Sequence, residues 1–269
     1  MEKVHLAAVQ MISGSDVSQN IQTMTRLVQD TAKKGAKIVL LPEFWAFMGA
    51  KDVDKLAIAE TYQNGVLQTV MSHLAKECQV YLVGGTIPLV SPNPKKVYNS
   101  MLTFDPQGQC VGRYDKIHLF SYKGAGESFS EADTILAGGS ISKLILPFIN
   151  IAQAICYDLR FPELFRMQQN FDLILLPAAF TYTTGKAHWL TLLTARAIES
   201  QSYLLASNQG GVHENGRRTF GHSVLISPWG EILDALEEGE GIVQGMLDFG
   251  YLNSIRRHLP ALENQVFKI

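Results

Sequence analysis

Glu43, Lys116 and Cys156 each follow an apolar, β-type run: Glu43 after KIVLLP, Lys116 after CVGRYD and Cys156 after INIAQAI. Together their side chains supply what acyl transfer needs. A thiol attacks a carbonyl, a carboxylate takes the thiol proton, and a cation holds the oxyanion of the tetrahedral intermediate. Seven histidines are present, but none lies in a stretch that marks it as the partner of Cys156. Taken singly, each residue has a plainer role. A free Cys is usually a buried small hydrophobe, a Glu after a strand often starts a helix, and a Lys after a hairpin is usually solvated. What lifts the three above those roles is their shared place just after strands, where α/β folds bind ligands and present nucleophiles.

The elements that must position them can be read in outline. The stretch Leu144 to Phe165, LILPFINIAQAICYDLRFPELF, is a β-type run that ends at Cys156 and enters a helix at Pro162, where Pro suits the first turn. Val4–Met11 reads as a short buried strand. Val17–Ala32 carries apolar residues at helical spacing, with Gly35 placed as a C-terminal cap. Lys37–Leu41 is a buried strand, Val66–Cys78 a second helix, and YLVGGT the start of another strand. Tyr98–Phe104 and Gln109–Tyr114 flank the turn DPQG and read as a hairpin. Phe120 to Ser140 is rich in Gly, Ser and acidic residues, and loops of that length are usually functional. A strand at Asp172–Leu176 and a helix from about Lys186 to Ser200 follow. Strands at Tyr203–Ser207, Thr219–Ile226, Glu231–Asp234 and Gly241–Met246 and a short helix, Tyr251–His258, complete the chain. No repeat, low-complexity stretch or linker interrupts it, so residues 1–269 read as one mixed α/β domain.

Bulk composition removes several function classes. Of 269 residues, 46% are hydrophobic and 18% charged, the balance of an ordinary globular protein. The net charge of −2, with no long basic run, does not ask for nucleic acid or an anionic membrane. No apolar run reaches the length of a spanning helix, and MEKVHLAAVQM lacks the pattern of a signal peptide. Cys78, Cys110 and Cys156 form no CxxC and no even-numbered framework, which fits a reducing cytoplasmic compartment. There is no HExxH or Cys/His ligand spacing, so neither a metal nor a cofactor is expected. GAGES is not a phosphate loop, because it lacks both the GK[ST] ending and the GxGxxG spacing.

LPEFW, YDKIHLF and AICYDLRFPELFR resemble the three catalytic motifs of the nitrilase superfamily, the carbon–nitrogen hydrolases with a Glu-Lys-Cys triad. The order matches, with 73 residues from Glu43 to Lys116 and 40 more to Cys156. The resemblance runs from residue 4 to about 260. It implies a four-layer α-β-β-α sandwich, where pattern alone gives only mixed α/β. It also implies a catalytic set of Glu43, Lys116 and Cys156, with the backbone N–H of Tyr157 helping Lys116 at the oxyanion. The family often adds a second glutamate after the Lys. Glu131 is the better match for it and Glu127 the runner-up.

LPAAF-TYTTGKAHW, LLTARAIESQSY, RRTFGHSVLISPWG and YLNSIRRHLPALE narrow the likeness to the Nit-type amidases. RRHLP and the NQGG…GHS stretch look more like the amidases of deaminated glutathione than the ω-amidases of α-ketoglutaramate. The hydrophobic LPFIN hairpin departs from that branch. Phe180, His188, Arg217 and Arg218 are the expected substrate-binding residues. Two adjacent Arg can meet both a keto-acid end and the carboxylate of a Cys-Gly leaving group. The expected partner is thus a small-molecule amide, and the resemblance implies a homodimer paired through a helical layer. Arg160 and Glu163, with Arg196 and Glu199, offer ion pairs to fix that layer. A papain-like protease would need a Cys signature that is missing. A non-catalytic interaction protein on the same fold would have to explain why all three triad residues are kept.

Overall fold

The computed structural model describes residues 3–124 and 127–267, and at Glu127 the backbone alone. The first half supplies β1 (Lys3–Gln10), α1 (Val17–Lys33), β2 (Ile38–Leu40), α2 (Val66–Cys78), β3 (Tyr81–Val83), β4 (Ile87–Val90), β5 (Val97–Phe104) and β6 (Cys110–Asp115). A small hairpin follows, β7 (Ser121–Gly124) and β8 (Glu127–Ser130). The second half supplies β9 (Lys143–Leu146), β10 (Ile149–Gln153), α3 (Pro162–Gln168), β11 (Leu173–Ala178), α4 (Tyr182–Ser200), β12 (Tyr203–Asn208), β13 (Ser223–Ile226), β14 (Ile232–Leu236), β15 (Gly241–Asp248) and α5 (Phe249–His258).

These strands form two large sheets. One runs β15-β1-β2-β3-β5-β4, with β6 also paired to β5; the other runs β14-β13-β12-β11-β10-β9. Both have a parallel centre, β1-β2-β3 in the first and β10-β11-β12 in the second. β15 returns from the end of the chain to pair antiparallel with β1, from Lys3↔Asp248 to Gln10↔Gly241. Strand alternation then fixes the layers. On β1 and β2, Leu6, Ala8, Ile38 and Leu40 share a core with Ile151, Leu173, Leu175 and Leu205 of the other sheet, and that same core continues to Phe165, Trp189 and Leu193 on α3 and α4. Ala7, Val9 and Val39 point the opposite way, onto Met24 and Leu27 of α1 and Met71 and Leu74 of α2. The result is the α-β-β-α sandwich.

Local sequence explains the element ends. Asp16 caps α1, its carboxylate accepting from the N–H groups of Ser18 and Gln19. α4 begins at Tyr182, earlier than the Lys186 expected from its composition, because Thr181 caps it and Thr183, Thr184 and Gly185 fill a turn that propensity disfavours. Gly185 sits there because a Cβ would collide with Phe220. The segment from Phe120 to Ser140 is not structureless: it holds the β7–β8 hairpin and a 3-10 turn at Glu131–Asp133. The Leu144–Cys156 run is two strands joined by a turn, and it ends as a strand at Gln153, with Cys156 opening a 3-10 turn through Arg160. The expected strand Thr219–Ile226 is regular only from Ser223, Glu231–Asp234 shifts to Ile232–Leu236, and a 3-10 turn at Asp52–Ile58 had no sequence signal.

Candidate active site

Glu43 leaves the end of β2 in a loop with little freedom. The Phe44 N–H donates to Thr86 Oγ1 at 2.9 Å, and Gly85 takes φ +50° where a Cβ would strike the Pro42 carbonyl. The Glu43 carboxylate, 1% exposed, then accepts from Asn99 Nδ2 at 2.9 Å through Oε1 and from the Ala179 N–H at 2.8 Å through Oε2. Lys116, fully buried directly after β6, gives its ammonium to Glu43 Oε1 at 2.9 Å and to Glu131 Oε1 at 2.8 Å. The other Glu131 oxygen accepts from the Phe120 N–H at 2.6 Å. Residues far apart in the chain thus converge on one ammonium.

The electrostatics follow from burial. Desolvation alone would lower the Lys116 pKa, but the charges of Glu131 and Glu43 outweigh it and raise the pKa instead, so the ammonium stays charged. Burial pushes Glu131 up, and Glu43 adds to the push against the pull of Lys116. The Cys156 thiol is held well above its ordinary value, first by burial and then by the Glu43 charge, with Lys116 pulling the other way. The resting sulfur is therefore a neutral thiol that needs a base at the moment of attack.

Cys156 itself has φ 49°, a left-handed backbone uncommon for a non-glycine residue. The strain is held by Asp158, fully buried two residues on. Its Oδ2 accepts from the Ile155 N–H at 2.9 Å and from the Tyr114 hydroxyl at 2.8 Å, and its Oδ1 accepts from the His118 N–H at 2.9 Å and faces His118 Nδ1 at 2.7 Å. One carboxylate thereby ties the Cys156 turn to the strand and loop that carry Lys116. The N–H of Tyr157 lies in the first turn of the 3-10 segment, where no intrahelical partner exists by construction.

Glu43, Glu131, Cys156, Phe180 and Arg217 all border one cavity of about 10 Å³, room for roughly a single water. The other expected substrate contacts lie elsewhere. His188 is exposed on α4, its Nδ1 3.3 Å from Arg160 Nη2, and does not line the cavity. Arg218 is paired with Glu238 at 2.9 Å and stacks over the Tyr182 ring at 3.6 Å, whereas Arg217 turns inward to the Ala179 carbonyl at 3.3 Å. The Glu127 side chain lies outside the described residues. Asn99 and Asp158 escaped the sequence reading. The signal for Asn99 was a lone amide in an apolar strand, and for Asp158 a carboxylate two residues beyond the thiol.

Arg196 and Glu199 pair with each other on α4 at 2.8 Å, and Arg166 of α3 reaches Glu199 at 3.8 Å, so these charges meet within the chain. Among the described residues there is no cluster of three or more metal-ligating side chains and no helix long and apolar enough to cross a membrane.

The carbon–nitrogen hydrolase family model matches residues 5–257. A Synechocystis sp. deaminated glutathione amidase is 36% identical over 267 residues, covering 97% of this chain and 97% of that one. The human omega-amidase NIT2 is 35% identical over 269 residues, covering 98% and 96%. The crystal structure of Saccharomyces cerevisiae Nit3, a member of branch 10 of the nitrilase superfamily, superposes with a TM-score of 0.89 at 26% identity, covering 99% of this chain and 97% of that one.

Proposed function

The chain belongs to the carbon–nitrogen hydrolase family, and on that premise we propose a thiol amidase with Glu43, Lys116 and Cys156 as its triad and Glu131 as the residue that positions Lys116. The observation that carries this reading is the Lys116 ammonium held at 2.9 and 2.8 Å between Glu43 and Glu131 beside a buried thiol. Glu43 takes the Cys156 proton as the sulfur attacks the amide carbon. Lys116 and the Tyr157 N–H hold the oxyanion. The C–N bond breaks as Glu43 returns the proton to the departing amine, leaving a thioester. Water then gives a proton to Glu43 and attacks the thioester, and the C–S bond breaks as the thiol regains that proton.

Deaminated glutathione is the proposed substrate, cleaved to 2-oxoglutarate and Cys-Gly. The 36% and 35% identities to the two kinds of amidase do not separate the substrates. The inward Arg217 beside the thiol favours a carboxylated amide, and the space beyond it favours a leaving group larger than ammonia. The test is steady-state kinetics on deaminated glutathione and α-ketoglutaramate. A kcat/KM preference for the first by about tenfold or more, roughly 1.4 kcal/mol in the transition state, is the expected result. A reversed preference assigns the chain to ω-amidase chemistry with the same triad. The same reading includes residues 1–269 acting as one catalytic domain, a homodimer, and a reducing cytoplasmic setting that fits three unpaired cysteines.

A further inference from the structure

Next to the small catalytic cavity lies a second space of about 440 Å³, bordered by Lys51, Lys55, Phe129, Arg217 and Arg218, with Asp52 the acidic side chain at its edge among the described residues. Arg217 borders both spaces. The four cations are not equivalent. Arg218 is committed to Glu238 and Lys51 is exposed at the rim. Lys55 is different: only 13% of its side chain is exposed, and Nζ reaches Thr134 Oγ1 at 3.3 Å and lies 5.3 Å from the centre of the Phe44 ring.

Among the described residues the carboxylate paired with it is Asp52, 3.9 Å away and 55% exposed, a weak and solvent-screened partner. Burial lowers the Lys55 pKa, and Arg217 and Lys116 add to that against Asp52 and Glu131. The Arg217 guanidinium is only partly committed: Nη2 donates to the Ala179 carbonyl at 3.3 Å, while its Nε is buried with no hydrogen-bond partner among the described residues. A buried cation without its counter-charge is costly. Two partly covered cations on one wall, one weakly paired and one with an unpartnered Nε, beside a space large enough for a small peptide end, favour an incoming anion.

We propose that this chamber is the subsite for a carboxylate on the amine side of the scissile amide, with Lys55 and Arg217 as its specificity determinants. The assignment rests on the amidase reading above. The order of the chemistry selects the side. The acyl group stays on sulfur after the first step while the amine must leave, and the chamber opens to solvent at Lys51, Asn215 and Gly216, all exposed.

The test is calorimetric binding to the Cys156→Ala protein, so that turnover does not enter. Glutarylglycine carries a carboxylate on both sides of its amide; glutaramate carries one on the acyl side alone. Adding Lys55→Met should weaken glutarylglycine by about tenfold or more and leave glutaramate unchanged, while Lys55→Arg should retain most of the glutarylglycine affinity. Thermal unfolding of each variant separates a lost contact from a lost fold. Equal weakening of both probes, no weakening of either, or no binding of glutarylglycine at all would overturn the assignment. A wild-type protein that binds glutarylglycine in this Lys55-dependent way yet hydrolyses no amide would refute the thiol-amidase reading and leave the subsite standing.

Discussion

Lys116 shares one ammonium between Glu43 and Glu131 with no water-exposed surface of its own. Replacing it by Ala removes an oxyanion donor and leaves two buried carboxylates facing each other. The expected kcat falls by roughly 10²–10³, and because breaking a buried pair costs about 3–5 kcal/mol, the midpoint of urea unfolding should fall as well. Glu131→Gln keeps the shape but weakens the hold on the ammonium. Its expected signature is a lower kcat with KM little changed, and wild-type kinetics would remove Glu131 from the site. The raised thiol pKa leaves the reactivity of Cys156 dependent on Glu43 as its base. Iodoacetamide should add to Cys156 before Cys78 and Cys110, and Glu43→Gln should abolish that lead, since the thiol then has no base. Intact-protein and peptide mass measurements read both outcomes.

At the scale of elements, the Cys156 turn and the loop from Asn208 to Arg218 hold the site in shape. Asp158 gathers four donor groups from Tyr114, His118 and Ile155, so Asp158→Asn should lower stability by about 2–4 kcal/mol and reduce kcat by releasing the left-handed Cys156 backbone. His213 pins the second loop. It is 3% exposed, with Nδ1 2.9 Å from the Ser13 carbonyl and Nε2 2.7 Å from Thr219 Oγ1, so the neutral ring donates at Nδ1 and accepts at Nε2. Burial holds its pKa down to about 4. Above the ordinary value of 6.5 the ring is neutral whether folded or unfolded, and stability is unaffected. As pH falls toward 4 only the unfolded chain takes the proton, so stability is lost in that window, on the order of 3 kcal/mol in all. Replacing His213 with Gln should flatten that part of the stability–pH curve, and an unchanged slope would mean another group is responsible.

For the whole molecule, the α3–α4 layer shows apolar side chains to solvent. Met167 and Ile198 on α3 and α4 are 53% and 49% exposed, and Trp229 in the turn packed near Ile198 is 56% exposed. Apolar surface of this kind is a candidate contact between copies, and it supports the proposed homodimer through that face. Light scattering at micromolar concentration should give twice the monomer mass, and Ile198→Glu combined with Trp229→Glu should return the monomer. A wild-type monomer would refute the assembly.

The sequence alone singled out the proposed catalytic set and its order. A thiol, an ammonium and a carboxylate following β runs at separations of 73 and 40 residues mark a chemistry whatever the loops between them do. It also determined the helices α1 and α2 and most central strands, because hydrophobic period is a local property. The tertiary structure decided the remainder. Whether Arg217 or Arg218 faces the thiol depends on a partner 20 residues beyond Arg218, Glu238, and no local pattern encodes that pairing. His188 sits on the exposed face of a helix whose start was hidden by Thr183, Thr184 and Gly185, residues tolerated there because Thr181 caps the helix and Phe220 closes over the glycine. Lys55 reads as one charge in a solvated run, DVDKLAI, until the fold buries it against Phe44 beside Arg217. Residue type and short-range spacing announce which chemistry is available, but burial and long-range pairing are properties of the packed chain, and they select which charges are left to meet a substrate.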